Sequence, residues 1–311
     1  MRQKTFLVTG GTGFIGSNIS NLLVKKNYKV KIFDNNSRGK IKKIQKFKKE
    51  IKFIKGDIRD TKSLFKALRN TDAVVHLAYV NGTKYFYSKP VQILEIAIKG
   101  ILNVIDGCIK NNIKELYLAS SSEVYQTPNK IPTDESESLK IPDIFNPRYS
   151  YGGGKILTEL MGIHYGKKYF KKLIIFRPHN VYGKNMGHEH VIPEFIDRFK
   201  KLKGKKFKIQ GTGSEIRSFI YIDDFVDAFD KILKKGKHLN IYNIGTSEKI
   251  KIKDLAYKLA KIYKKKIVLN KTSLTKGSAT IRVPNINKIK KLGFKAKYNL
   301  NKGLEKIIKI S

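Results

Sequence analysis

Residues 4–16 read KTFLVTGGTGFIG, and this stretch decides the fold. Lys4–Thr9 has the β-branched and aromatic content of a buried strand, and Phe14–Lys26 carries the apolar spacing of a helix. Between them Gly10, Gly13 and Gly16 recur at G-x-x-G-x-x-G spacing. Each glycine has a mechanical use: a tight turn, close backbone approach to a pyrophosphate, and tight packing of helix on strand. The helix begins at Phe14 and Ile15 and aims its N-terminus at that anion. Turns collect glycine for free, so the context matters: the run sits between strand and helix, and a second strand, Lys29–Phe33, ends beside Asp34. An acidic side chain there would hold the ribose hydroxyls of an adenosine and repel a 2′-phosphate, so NAD is expected over NADP, with Asn35 alongside. Arg38 works against that preference. The competing reading of Asp34 is a turn aspartate ahead of Asn35-Asn36.

Working outward, strand-like and helical stretches alternate. Ile51–Lys55 is a strand, Thr61–Arg69 a helix, Ala73–His76 a buried strand and Val91–Asn111 a long helix. Glu115–Ala119 is a strand, Tyr151–Tyr169 a helix and Leu173–Phe176 a strand. This alternation predicts an α/β fold, a Rossmann-type doubly wound parallel sheet covered on both faces, with a smaller mixed C-terminal substrate-binding lobe. The expected division is 1–178 for the NAD-binding domain and 179–311 for a smaller lobe, with a segment near 217–245 returning to the first. Gly56-Asp57-Ile58 follows the third strand, where an adenine ring would lie, which makes Asp57 and Ile58 cofactor candidates. Leu77 and Ala78 end the fourth strand at the sheet's carboxyl edge, beside the cofactor. His76 reads as a packed strand-end histidine rather than a catalyst.

Composition bounds the remaining classes. The 311 residues are 41% hydrophobic and 11% aromatic, enough for a real core and too much for a disordered chain. The single cysteine, Cys108, excludes a disulfide framework and a Cys-type zinc site, and suits a reducing cytoplasm. No metal site is expected. No apolar stretch nears the ~18 residues that span a bilayer, and Met1-Arg2-Gln3-Lys4 shows no signal-peptide pattern. A cytoplasmic protein is expected. The net charge of +40 comes from 56 lysines against nine arginines, spread from Lys4 to Lys309. Readers of nucleic acid concentrate arginine on one face, so this distribution looks like compositional drift, and no specific nucleic acid is expected. Anionic ligands would still be attracted, less so in salt.

Tyr151-Gly152-Gly153-Gly154-Lys155 is the chemical centre. Tyr151 and Lys155 stand at i, i+4 and share a helix face. A phenol with a pKa of ~10 is a poor base at neutral pH. A neighbouring ammonium favours the phenolate, and lowering it by ~3 units takes roughly 4 kcal/mol of differential stabilisation. Upstream, Ala119-Ser120-Ser121-Ser122-Glu123-Val124-Tyr125 runs off a strand into a polar turn, and Ser121 is placed to bond the same substrate hydroxyl. With so many tyrosines and lysines a chance Y-x-x-x-K match is easy, so it is the ordered set that counts.

The glycine turn, Asp34, the serine run and the Tyr/Lys pair, in that order, resemble the extended short-chain dehydrogenase/reductases, and within them the NAD-dependent nucleotide-sugar epimerases and dehydratases. Later segments extend the likeness: Arg177-Pro178-His179-Asn180-Val181-Tyr182-Gly183, the run from Gly211 through Arg217 to Asp224, and Arg282-Val283-Pro284. Gly154 departs from the pattern, which usually has Ser or Ala before the lysine, and three glycines make a costly helix start. The resemblance implies that Tyr151 takes a proton from a sugar hydroxyl, usually at C4, while hydride moves to NAD. It also implies that Lys155 lowers the Tyr151 pKa and binds the nicotinamide ribose, and that Ser121 shares the substrate hydroxyl. Asn180, Arg217 and Arg282 would bind the nucleotide diphosphate, and Asn81 and Thr83 would line the sugar pocket. It implies a C4 epimerase of a UDP-sugar. Glu123 keeps two alternatives open, since UDP-glucuronate decarboxylases carry a similar Ser-Glu-Val-Tyr string and dehydratases use a glutamate there. A non-catalytic NAD-fold binding protein is the remote alternative. The resemblance also implies a homodimer through Val91–Asn111 and Tyr151–Tyr169, with Ile93, Ile96, Ala97 and Gly100 on a candidate face.

Overall fold

The computed structural model describes residues 2–308; Met1 and residues 309–311, with Lys309 at the far end of the lysine distribution, lie outside them. Seven strands form one parallel sheet: β1 (Thr5–Thr9), β2 (Lys29–Asp34), β3 (Ile51–Lys55), β4 (Ala73–His76), β5 (Glu115–Ala119), β6 (Lys172–Pro178) and β11 (Asn240–Ile244). Their order is β11-β6-β5-β4-β1-β2-β3, so the direction of winding reverses between β1 and β4. In such sheets the crevice at the carboxyl ends of the switch-point strands is where ligands bind. The expected Rossmann-type doubly wound sheet is what the chain forms.

The strand residues show why. In β1, Phe6 and Val8 join one buried cluster while Leu7 joins the other; in β5, Tyr117 faces the first and Leu116 and Leu118 the second. Alternate side chains point to opposite faces, and both faces here are apolar because helices cover both. Helices α1 (Phe14–Lys25) and α8 (Ile222–Lys235) pack together on one side. Helices α2 (Thr61–Leu68), α5 (Ile101–Lys110) and α6 (Tyr149–Tyr169) lie on the other.

Two helices differ from their sequence reading. The stretch expected as one helix over 91–111 is α4 (Pro90–Glu95), a π-helical turn (Ile96–Gly100) and α5. Gly100 there presses on Ile58, whose Cγ1 would lie 3.0 Å from any Cβ at that place. Helix α6 starts two residues early, at Tyr149, just after Pro147, whose ring suits a helix entry. A short helix, α3 (Thr83–Ser88), was not expected and carries Thr83 and Phe86 toward the crevice.

The last third adds small sheets. Strands β7 (Val181–Tyr182) and β10 (Ile220–Tyr221) pair, as do β8 (Lys206–Gln210) and β13 (Val268–Thr272); β9 (Ile216–Arg217) lies between β12 (Ile250–Lys251) and β14 (Ile281–Arg282). Helices α7 (Val191–Lys201) and α9 (Ile252–Ile262) cover them. Strand β11, from near the end of the 217–245 segment, returns to the edge of the large sheet beside β6. Among the described residues, no helix is long and apolar enough to cross a membrane.

Candidate active site

The glycine turn needs its glycines. Gly10 has φ +70°, and a Cβ there would lie 2.7 Å from the backbone nitrogen of Ala78. A Cβ on Gly16 would overlap the Gly10 carbonyl oxygen. The chain therefore folds the turn flat against the end of β4, and α1 begins with Phe14 and Ile15 facing the crevice. Its first N–H groups have no side-chain cap, which leaves an anion-binding helix end. Asp34 accepts from Thr12 N at 2.9 Å and Asn36 N at 2.8 Å. It thus fixes the turn as the competing reading expected, and its carboxylate oxygens still have lone pairs for a ribose. Asn35 donates to Asp57 at 2.9 Å. The bond from Arg59 holds the Asp57 carboxyl down at about 2. Arg38 is engaged elsewhere, in two 2.9 Å bonds to Glu189.

Gly10, Phe14, Ile15, Gly16, Asp34, Asn35, Arg38 and Asp57, with Ile58, Leu77 and Ala78, line one cleft of about 1350 Å³ that also takes in the opposite wall. On that wall α6 presents Tyr151 and Lys155 one turn apart, and the turn after β5 presents Ser121 and Glu123. Ser121 caps the short helix Ser122–Tyr125 by accepting from Glu123 N at 3.1 Å. The Tyr151 ring is stacked on Phe86, centroids 4.7 Å apart, and meets Tyr79 edge-on at 5.2 Å. Burial pushes the Tyr151 phenol up; a hydrogen bond from Ser121 and the charge of Arg282 pull it down, while Glu123 raises it.

Lys155 has partners that the sequence did not show. Its ammonium donates to the Ala119 carbonyl at 2.7 Å and sits 3.9 Å from the centre of the Tyr79 ring. Burial lowers Lys155 itself to about 7, partly opposed by Glu159. An aromatic face and a carbonyl hold the ammonium.

The arginines form a cluster. Arg282 binds Glu123 with both terminal nitrogens, at 2.5 and 3.0 Å, and Arg148 approaches the same carboxylate at 3.6 Å. Arg217 donates to the carbonyls of Ile216, Thr280 and Ala279. Burial, then the charge of Arg282, lowers Arg217 to about 10. Glu123 sits below its ordinary value because the arginines outweigh a burial effect of opposite sign. Asn180 donates to Ser218 O at 2.8 Å. Asn180, Arg217, Arg282, Asn81 and Thr83 all reach the same cleft. Arg177, from the same motif as Asn180, is instead interior, bonded twice to Glu159 at 2.8 and 2.5 Å. His76 is buried against Thr9 at 2.8 Å, and burial pushes it down to about 3.

Arg148, Phe86 and Tyr79 are among the cleft residues that went unread in the sequence. Arg148 gave no signal beyond its place just ahead of α6, and Phe86 none at all. Tyr79 left one trace, the unexplained Gly154. Among the described residues, no group of three or more His, Cys, Asp or Glu could hold a metal ion.

Comparison with known proteins agrees with this geometry. The model of the NAD dependent epimerase/dehydratase family matches residues 6–245. The chain is 34% identical to a dTDP-D-glucose 4,6-dehydratase of Dictyostelium discoideum over 275 residues, 83% of this chain and 62% of that one. It thus spans less than two thirds of that relative. It is 32% identical to a UDP-N-acetyl-alpha-D-glucosaminuronate decarboxylase of Bacillus cytotoxicus, over 82% of this chain and 78% of the other. A crystal structure of UDP-glucose 4-epimerase with UDP-glucose, from Thermotoga maritima, superimposes with a TM-score of 0.88 at 27% identity, covering 98% of this chain and 97% of that one.

Proposed function

The chain belongs to the NAD dependent epimerase/dehydratase family, and from that premise we propose that it is a nucleotide-sugar epimerase, inverting C4 of a UDP-sugar by way of a transient 4-keto sugar. The observation that carries the reading is one cleft with the glycine turn at one end and Tyr151, Ser121 and Lys155 on the facing wall. The left-handed Gly10, the uncapped start of α1 and Asp34 fit NAD, which when bound supplies a hydride acceptor. Its other contacts are assigned to Gly13, Gly16, Asn35, Asp57, Ile58, Leu77 and Ala78. Tyr151 takes the proton from the C4 hydroxyl and returns it, with Ser121 orienting that hydroxyl. Lys155 binds the nicotinamide ribose. Asn81 and Thr83 line the sugar pocket, while Asn180 and Arg217 take the diphosphate. We assign the sheet to the cofactor and residues 179–311, apart from the segment near 217–245, to the nucleotide sugar.

Decarboxylation of a UDP-uronate is the second reading, and a specific observation favours it. Glu123 is the counter-ion of two buried arginines, Arg282 and Arg148, each with an Nε that has no partner among the described residues. Such a cluster can accept a second carboxylate, from C6 of a sugar. The same pairing works against a dehydratase, which would need Glu123 free to move a proton. Incubation with NAD and UDP-glucose, UDP-N-acetylglucosamine or UDP-glucuronate, read by mass and NMR, separates the outcomes. Unchanged mass with a new C4 configuration supports the epimerase; loss of carbon dioxide or of water overturns it in favour of the other two.

A homodimer is part of the proposal. Val91, Leu94, Ile98 and Leu102 are exposed at three- and four-residue spacing along α4 and α5, with Leu160 exposed on α6. Ile93, Ile96 and Ala97, the face suggested by the sequence, are buried in the core, as is Gly100.

A further inference from the structure

We propose that Tyr79 is a positioning residue for the acid–base pair: the face of its ring holds the Lys155 ammonium, and its edge-to-face contact fixes the Tyr151 ring. This rests on the reading of Tyr151 and Lys155 as that pair. Three observations carry it. The Lys155 Nζ lies 3.9 Å from the Tyr79 ring centre, inside the range where a cation is drawn to the negative face of an aromatic ring. The Tyr79 and Tyr151 rings meet edge to face, centroids 5.2 Å apart and planes at 89°. The far end of the side chain fills a notch that exists because residue 154 is glycine. A Cβ there would overlap the Tyr79 hydroxyl and lie 2.6 Å from the Ala97 Cβ. Gly154, which departs from the pattern of the resembling family, is the partner of a bulky residue across the cleft.

The other groups around the ammonium leave the ring an identifiable part. Glu159, one turn along α6, draws the charge but is bonded to Arg177 twice and to Ser120. His76, on β4, is neutral at ordinary pH because burial holds it at about 3. Tyr151 lies one turn back, and burial pushes its phenol up. The Ala119 carbonyl is the direct hydrogen-bond partner. Tyr79 itself stays a neutral phenol, since burial raises it well above its ordinary value. Its hydroxyl is buried without a partner among the described residues. The ring, and not the hydroxyl, is therefore the active part, and phenylalanine should replace it.

The test titrates Lys155 directly in the full chain carrying [13C]lysine, its signal identified by its loss in Lys155→Met. Beside this, the pH profile of kcat/KM is measured on the nucleotide sugar that the wild type turns over. Tyr79→Phe should keep the Lys155 midpoint and the kcat/KM profile. In Tyr79→Leu the Lys155 midpoint should fall by about one pH unit as the ring face is lost. The rise of kcat/KM should then move to higher pH, because a neutral lysine favours the phenolate less. Gly154→Ala, which displaces the ring without removing it, should move both in the same direction, so a poorly folding leucine variant does not stop the test. A Lys155 midpoint unmoved in both Tyr79→Leu and Gly154→Ala, or moved as far by phenylalanine as by leucine, overturns the proposal. If the wild type turns over no nucleotide sugar, the functional reading fails, while the lysine titration still decides the role of Tyr79.

Discussion

Replacing Glu123 by glutamine should cost about 3 kcal/mol of stability at neutral pH, although a single oxygen becomes an amide nitrogen. The carboxylate takes two bonds from Arg282 at 2.5 and 3.0 Å and faces Arg148 at 3.6 Å, with the arginine side chains 7% and 6% exposed. At an effective dielectric of ~20, two unit charges ~4 Å apart attract by roughly 4 kcal/mol. Glutamine keeps the volume and one acceptor, but it turns an N–H₂ group toward a guanidinium, donor against donor. Arg282 and Arg148, with Arg217 close by, then lack their shared anion. The loss sits at the low end of the ~3–5 kcal/mol for breaking a buried pair, because one side of the cluster opens on the cleft. At roughly 2–4 °C per kcal/mol, the unfolding midpoint should drop by about 6–12 °C. The pH dependence fixes the cause. Burial works to raise Glu123, yet the arginines hold it below the ordinary 4.5. A carboxyl lowered on folding stabilises above its unfolded value and loses that contribution as pH falls through the folded one. The gap between wild type and Glu123→Gln should be full at pH ~7 and shrink below pH ~4.5. Thermal unfolding of both proteins at neutral and acid pH reads it. Equal midpoints at neutral pH, or a gap that widens on acidification, would refute the reasoning.

Three further outcomes follow from the same geometry. Tyr151→Phe should lower kcat by about 10²-fold or more, as expected for loss of an acid–base group, while NAD affinity measured by calorimetry stays within a few-fold; full activity would remove Tyr151 as the base. Gly10→Ala should weaken NAD binding at least ~10-fold and cost about 1–3 kcal/mol, since the backbone is left-handed there and a Cβ would press on Ala78. Ordinary NAD binding by that variant would mean the turn is not the cradle. Ile98→Asp, in the middle of the exposed apolar stripe and itself 47% exposed, should leave the fold intact and turn a dimer into a monomer by sedimentation; a wild type that is already monomeric ends that proposal.

Much of the fold was legible because its signals are local. Strands buried on both faces are short apolar runs, and a glycine turn between strand and helix is a contiguous string, so β1 to β6 and α1 could be read from windows of a few residues. The π-helical turn at Ile96–Gly100 could not. It accompanies the packing of Gly100 against Ile58, which lies in the turn between β3 and α2. Apolar spacing likewise could not say which face of 91–111 is inside. Ile93 and Ile96 recur with helical spacing, and so do Leu94 and Ile98 one position along. Only the packing of α4 and α5 on the core sends the first set inward.

The site was legible as a list of residues and not as a set of pairs. Every candidate reaches one cleft, yet Arg282, expected on a diphosphate, clasps a glutamate 159 positions away. Lys155, expected beside the Tyr151 phenol, leans on Tyr79. The three glycines show the same limit most clearly. As a local string they are a fault, each costing a helix ~1 kcal/mol relative to alanine. In the folded chain each admits a neighbour. A Cβ would lie 2.5 Å from the Gln126 amide at Gly152, 3.2 Å from Ile141 at Gly153, and on top of the Tyr79 hydroxyl at Gly154. An alanine at 154 would recover helix propensity and push the aromatic face off the lysine. The penalty at 154 and the tyrosine at 79 are therefore one feature, and neither residue alone reveals it.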